Sequence, residues 1–242
     1  MNGSLDGQRV VVIGGSSGIG LATAHQARSA GARVVVTGRN PERLAAAAAE
    51  VDAESAPILD LGDPDRLAQV FADLPADLDH VLVSGGGPFY APIAELDFDW
   101  ALRVFDEDLV GALRIARLCI GRVRAGGSLT FISGTGARRP GIGLSVAAIG
   151  TVALQAIAAN AALELAPIRV NAVAAGFVDT PLSARLLGDQ LEARRADLRA
   201  TLPIRRVVGP DDVAALILHL MTNTALTGAT YDVDGGQQLL RH

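Results

Sequence analysis

The sequence predicts an α/β fold of the doubly wound kind, a seven-stranded parallel sheet with helices on both faces, as one domain over residues 1–242. Three observations predict it. Short β-branched runs alternate with longer helical patterns from end to end. The first of these runs breaks on a cluster of glycines straight into a helix. No linker, repeat or low-complexity boundary divides the chain, apart from an alanine tract.

Val10 to Ile13 is too short for a helix and rich in valine, so it reads as a buried strand. It runs into Gly14-Gly15-Ser16-Ser17-Gly18-Ile19-Gly20, and Leu21 to Ala30 is then helical. A strand turning on glycines into a helix N-terminus makes an anion site. Bare backbone N–H groups and the positive end of the helix dipole point at one spot, and glycine lets a phosphate approach the backbone. Arg33 to Thr37 is a second strand. The alanine-rich stretch Glu42 to Glu50, opened by Pro41, is a helix.

Pro57 to Leu59 reads as a weak third strand, followed by Asp60-Leu61-Gly62-Asp63-Pro64 and a helix to about Asp73. Beside Pro64, Asp63 is the better placed helix cap, which leaves Asp60 for another task. His80 to Val83 is a fourth strand, running into Ser84-Gly85-Gly86-Gly87. Helical segments span Trp100 to Arg124 until Gly126-Gly127 stops them, and Ser128 to Ser133 is the fifth strand. After a loop, Leu144 to Leu165 forms a long alanine-rich helix, buried or at an interface. Pro167 to Val173 is the sixth strand. Leu182 to Leu202 is an amphipathic helix, Gly209 starts another that reaches Met221, and Ala229 to Val233 is the seventh strand.

Composition narrows the function. A net charge of −5 gives no basic footprint for nucleic acid. Gln155, Asn160 and Glu164 interrupt the most apolar run, so no membrane association is expected. One cysteine, Cys119, excludes an intrachain disulfide and suits a reducing compartment; it reads as core. With a polar start at Met1–Gly7, the expected location is cytoplasmic. All 21 basic side chains are arginine, so no step can use a lysine of this chain.

Gly14-x-x-x-Gly18-Ile19-Gly20, Asp60, Asn171-x-Val-x-x-Gly176-x-x-x-Thr180 and the closing Val233-Asp234-Gly235-Gly236 resemble the short-chain dehydrogenase/reductase family over nearly the full length. The resemblance implies a Rossmann-type fold and a nicotinamide coenzyme. It puts the pyrophosphate on Gly14, Ser16, Ser17, Gly18, Ile19 and Gly20. It also brings Asp60 and Leu61 to the adenine, Ser84, Gly85 and Gly86 to the coenzyme, and Phe177, Val178 and Thr180 to the nicotinamide carboxamide. Where members that use NAD carry an acid, this chain has Thr37-Gly38-Arg39-Asn40. Arg39, with Asn40 beside it, offers a planar fork for a 2′-phosphate, so NADP(H) is expected ahead of NAD(H).

The family's Tyr-x-x-x-Lys aligns with Ser145-x-x-x-Ile149, so the resemblance implies an atypical member that keeps the coenzyme half and replaces the proton-donor half. Its serine falls at Ser133 or Gly134, depending on a one-residue shift, and its asparagine at Asp108. Elimination leaves Ser133, Tyr90 and Asp108 as catalytic candidates, each with a plain structural alternative: a bond to nearby backbone, a cover over the pocket, and an acid satisfied by backbone. Arg138 and Arg139 could orient an anionic substrate. The function expected is an NADP(H)-dependent oxidoreductase of a small molecule, with an imine or activated alkene asking least of a proton donor. A catalytically silent sensor or scaffold is the alternative, and non-redox cyclisation or elimination a third reading. The resemblance implies a homotetramer or homodimer built on the long helix.

Overall fold

The computed structural model describes residues 4–87, 89–138 and 140–240. In chain order the elements are β1 (Arg9–Ile13), α1 (Gly18–Ser29), β2 (Arg33–Thr37), α2 (Pro41–Glu50), α3 (Pro64–Asp73), β3 (Leu78–Val83), α4 (Phe98–Phe105) and α5 (Gly111–Cys119). Then come β4 (Val123–Gly134), α6 (Ser145–Glu164), β5 (Arg169–Ala175), α7 (Pro181–Leu187), α8 (Leu191–Thr201), α9 (Pro210–Thr222) and β6 (Thr230–Val233). A π-helical turn, Asp106–Val110, joins α4 to α5. The strands form one parallel sheet in the order β2-β1-β3-β4-β5-β6.

Alternation along each strand builds two cores. Val10, Val12, Val34, Val36 and Leu82 face α1, α2 and α9, whose Ala24, Leu44 and Ile217 meet them. Val11, Ile13, Val81, Leu129 and Phe131 face the other way, onto Phe71 of α3, Ile115 of α5 and Ala158 of α6. A sheet covered on both faces needs strands that are apolar at every position, and β1 and β3 are buried throughout.

Six strands are present rather than seven among the described residues. The expected third strand does not form: Ser55 and Ile58 make only isolated bridges to Val35 and Gly38 beside β2. Pro57 has no N–H to give a ladder, so the segment follows the sheet edge without joining it. The helical stretch expected to reach Arg124 ends at Cys119, where Gly121 turns with φ +73°. Gly126 and Gly127 do not stop a helix; they lie inside β4, where a side chain at Gly127 would strike the Asp79 carbonyl. The single helix expected over Leu182–Leu202 is two, α7 and α8, parted at Gly188 with φ +50°.

By length and composition α6 could cross a bilayer. Here it is the outer layer over β4 and β5, burying Val146, Ala158, Ala161 and Ala162. Its opposite face leaves Ile149, Val152 and Leu163 exposed.

Candidate coenzyme and active site

The chain leaves β1 toward β2 on one side, while β3 lies on the other, so a crevice opens at the carboxyl end of β1. The glycines show what crowds it. Gly14 has φ +82°, and a Cβ there would lie 2.7 Å from the Gly85 nitrogen. Ser84 N donates to the Ile13 carbonyl at 2.8 Å, which holds the loop after β3 against the end of β1. A Cβ on Gly18 would lie 3.4 Å from Thr180 Cγ2, one on Gly38 2.8 Å from Ser16 Oγ, and one on Gly85 3.0 Å from Leu61 Cδ1. Five chain segments far apart in sequence therefore border one cleft: 14–20, 38–40, 61, 84–86 and 180.

The cleft is fitted for an anion. The first turn of α1 carries no acidic residue, and Ser17, at its N-cap, makes no side-chain cap bond. Neither Ser16 nor Ser17 has a hydrogen-bond partner for its hydroxyl among the described residues. Ile19 and Gly20 lie in that first turn, where N–H groups have no intrahelical acceptor. Gly15 N is already used, donating to Thr37 O at 2.9 Å. Arg39 is exposed at the rim with no ion-pair partner among the described residues. These groups fit a phosphorylated dinucleotide.

Other expected coenzyme contacts already have work. Asn40 caps α2, its Oδ1 accepting from Arg43 N at 2.8 Å. Asp63 caps α3 in the same way, as its place before Pro64 predicted. Asp60 accepts from Gly62 N at 3.2 Å through one oxygen and is otherwise exposed. Phe177 N donates to Gln237 Oε1 at 2.9 Å. Val178 is buried and its carbonyl accepts from Ser183 Oγ. Thr180 caps α7, its Oγ1 accepting from Ser183 N at 3.3 Å and lying 3.4 Å from Ser183 Oγ, whose own proton goes to the Val178 and Thr180 carbonyls.

The three catalytic candidates end in different states. Ser133, buried at the end of β4, donates to the Thr151 carbonyl of α6 at 3.1 Å. Tyr90 is 52% exposed with no partner for its hydroxyl among the described residues, and partial burial pushes its pKa up. Asp108 sits on the π turn without a hydrogen bond among the described residues. Burial, with Glu107 beside it, raises its pKa to about 6. Its carboxylate lies so close to Gly86 that a side chain there would collide with Oδ1. Ser145 and Ile149 are exposed on the first turns of α6. Cys119 is inert in the core, its thiol pushed up to about 12 by burial. Arg138 is bound to Asp232 and Gln238, and so is not free to hold a substrate; Arg139 lies outside the described residues.

Two features escaped the sequence reading. Arg195 of α8 reaches Asp179 at 2.7 Å, while the Arg194 guanidinium lies 6.0 Å over the Phe177 ring, so α8 fastens the segment before α7. Phe89 lies against Trp100, ring centroids 4.2 Å apart and tilted by 56°, and packs with Val146 against the first turn of α6. The run of aromatics from Phe89 to Phe105 was the visible signal for the second. Nothing local marks the first, because its partners are at least 15 residues apart.

A switch-point crevice with a glycine loop opening a helix defines a dinucleotide-binding α/β protein. A family model described as enoyl-(acyl carrier protein) reductase matches residues 13–238. The short-chain dehydrogenase/reductase ATR9 of Stachybotrys chlorohalonatus (strain IBT 40285) is 32% identical over 256 residues, covering 96% of this chain and 98% of its own. Among solved structures, the MalC reductase/Diels-Alderase of Malbranchea aurantiaca is similar with a TM-score of 0.91 at 26% identity, covering 99% of each chain. A small-chain dehydrogenase in complex with NADPH has a TM-score of 0.83 at 28% identity, covering 97% of this chain and 100% of its own. The chain belongs to the short-chain dehydrogenase/reductase family, whose members are oxidoreductases that bind a nicotinamide coenzyme.

Proposed function

We propose that the protein is an NADP(H)-dependent oxidoreductase of a small molecule, an atypical family member with Ser145 and Ile149 in the positions of the usual tyrosine and lysine. The observation that carries the reading is the cleft itself: unbonded Ser16 and Ser17 hydroxyls and the open α1 N-terminus beside an unpaired Arg39, with no carboxylate at the end of β2. Bound there, the reduced coenzyme would supply hydride. Ser16, Ser17 and the N–H groups of Ile19 and Gly20 hold the pyrophosphate. Arg39 takes the 2′-phosphate, Asp60 and Leu61 the adenine, and the Thr180 hydroxyl the carboxamide. Tyr90 and Asp108 carry the unengaged polar groups, and substrate contact is assigned to them; Ser133 keeps its lone pairs and can only accept.

Calorimetry with NADPH and NADH, followed by NADPH consumption over a carbonyl, imine and enone panel, tests this. Binding with turnover of some member supports it. Binding without any turnover favours the silent sensor, and no binding removes the coenzyme reading. A second reading, ring formation with the nucleotide retained structurally, is supported by the likeness to a protein titled reductase/Diels-Alderase. Its test is product formation without NADPH consumption.

The same proposal places the protein in the cytoplasm, as a homodimer or homotetramer joined through α6. A groove of about 290 Å³ between α5 and α6, lined by Leu113, Ile120, Ala156 and Ile157, supports that face as the interface. A monomer by light scattering at micromolar concentration would refute the assembly.

A further inference from the structure

The inference below rests on the coenzyme reading and names its substrate. Hydride delivered to a neutral carbonyl must be matched by a proton, or a strongly basic anion is left in the site. The side chains at the positions of the usual tyrosine and lysine cannot give one, and burial that raises the Tyr90 pKa makes its hydroxyl a weaker acid. Ser145 and Ile149 provide no acid, the Ser133 hydroxyl is engaged as a hydrogen-bond donor to the Thr151 carbonyl, and the chain contains no lysine. Beside that gap stands Asp108, a mostly buried carboxyl without a single donor, on a π turn of the kind that recurs at functional sites. It faces the Gly86 α-carbon, where only glycine fits. A carboxylate in such a place lacks a cation.

The chain leading into that turn suits a cation too. Of the chain's six phenylalanines, two tyrosines and one tryptophan, five fall within residues 89–105. Phe89 and Trp100 form a ring pair against the α6 start, with Tyr90 and Trp100 about half exposed. Aromatic faces attract positive charge. A lysine ammonium at position 149 would repel it; isoleucine does not.

We propose that the reducible group is a carbon–nitrogen double bond that arrives already positively charged, an iminium ion in an apolar skeleton, with the Asp108 carboxylate as its counter-ion. The chemistry closes without a proton donor. Hydride adds to the iminium carbon, the C=N π pair becomes the nitrogen lone pair, and the products are a neutral tertiary amine and NADP+. The elements packed against the π turn carry these charged groups: Asp106 and Glu107 on the turn itself, Asp99 and Arg103 on α4, Arg114 and Arg117 on α5, and Glu164 at the far end of α6; Tyr90 is the titratable group on the loop after β3. Arg114 is held by Asp106, and Glu107 supplies the charge effect on the Asp108 carboxyl.

The test uses the full chain, whose binding of NADP+ and NADPH is first measured by calorimetry; the probes are then read without coenzyme, because the oxidised nicotinamide ring is itself positively charged. N-methyl-3,4-dihydroisoquinolinium is the charged probe and 1,2-dihydronaphthalene its neutral counterpart, both read by quenching of Trp100, the chain's one tryptophan. The cation is expected to bind about tenfold tighter than the neutral probe. Its affinity should rise as pH is raised through about 6, where Asp108 ionises. Asp108→Asn should weaken the cation about tenfold and flatten that rise, with NADP+ affinity unchanged as the control for folding. With NADPH instead, the cation should yield the tertiary amine and NADP+ one for one. Equal affinity for the two probes, an Asp108→Asn variant without effect, or turnover that falls with rising pH would overturn the proposal. Failure of NADP+ and NADPH to bind would instead overturn the coenzyme reading, and this inference with it.

Discussion

The two edges of the sheet treat their polar groups in opposite ways. At the amino edge, every buried polar side chain is tied down. Arg9 bonds Glu54 and Asp77, Asp79 takes the Arg9 N–H and the Arg124 guanidinium, and His80 sits between Gln8 Oε1 and Ser128 Oγ, each at 2.8 Å. Arg169 donates to five carbonyls, among them Leu220 O at 2.6 Å and Met221 O at 2.8 Å at the end of α9. At the carboxyl edge, Ser16, Ser17, Arg39, Tyr90 and Asp108 have no hydrogen-bond partner among the described residues. Polar groups cost free energy when desolvated without a partner; Thr37 Oγ1, Thr130 Oγ1 and Arg195 Nε are buried in that state, whereas the carboxyl-edge groups are exposed or half-buried and so open to water or a ligand. One edge holds the fold together; the other leaves its polar side chains unengaged.

The comparison can be broken from either side. Arg169→Met should cost on the order of 4 kcal/mol in denaturant unfolding, because it strands several buried carbonyls at once. Loss of under 1 kcal/mol would mean that water replaces the guanidinium and the amino edge is not as sealed as its bonds imply.

Acid attacks the same edge. Burial lowers the His80 pKa from 6.5 to about 4. As pH falls, the unfolded chain takes up the proton first, so stability is fully present above about 6.5 and lost down to about 4. The loss should approach about 3 kcal/mol. His80→Gln, compared with the parent at pH 7 and pH 4, should remove that share of the acid sensitivity.

At the carboxyl edge the expected effects fall on binding. Gly14→Val should reduce NADPH affinity about 100-fold or more, ~2.7 kcal/mol, since φ +82° and the Gly85 backbone both reject a side chain. Circular dichroism separates that loss from unfolding. Arg39→Ala should lower NADPH affinity about tenfold and leave NADH untouched, with unchanged thermal stability. Asn40→Ala sharpens the boundary between the two kinds of residue. As a helix cap it should cost about 1 kcal/mol of stability while coenzyme affinity stays the same. A change in affinity without a change in stability would return Asn40 to the ligand.

Much of this could be read before any coordinates. Short β-branched runs and glycine spacing are local, so Val10–Ile13, Arg33–Thr37 and the Gly14–Gly20 loop were legible from composition and order. The cap at Asp63 was legible too, because Pro64 fixes the backbone of the first helical turn. The weak third strand misled because three apolar residues satisfy a strand pattern whether or not a ladder accepts them, and Pro57 cannot contribute to one. The helix expected through Arg124 misled because Gly126-Gly127 looks like a stop signal, whereas its role is close approach to the Asp79 carbonyl.

By itself, then, the sequence determined the alternation of strands and helices, the anion-binding turn, the absence of lysine and the Ser145/Ile149 pair. These are properties of residue type and spacing along a few turns of chain. The tertiary structure alone decided which polar groups are used up: that Ser133 is bonded to Thr151, that Arg138 belongs to Asp232, that Asn40 serves its helix, and that Asp108 faces Gly86 with nothing to bond. A hydrogen bond is a contact between segments that may be a hundred residues apart. Whether a side chain is engaged or free is settled only when the packing brings its partner to it.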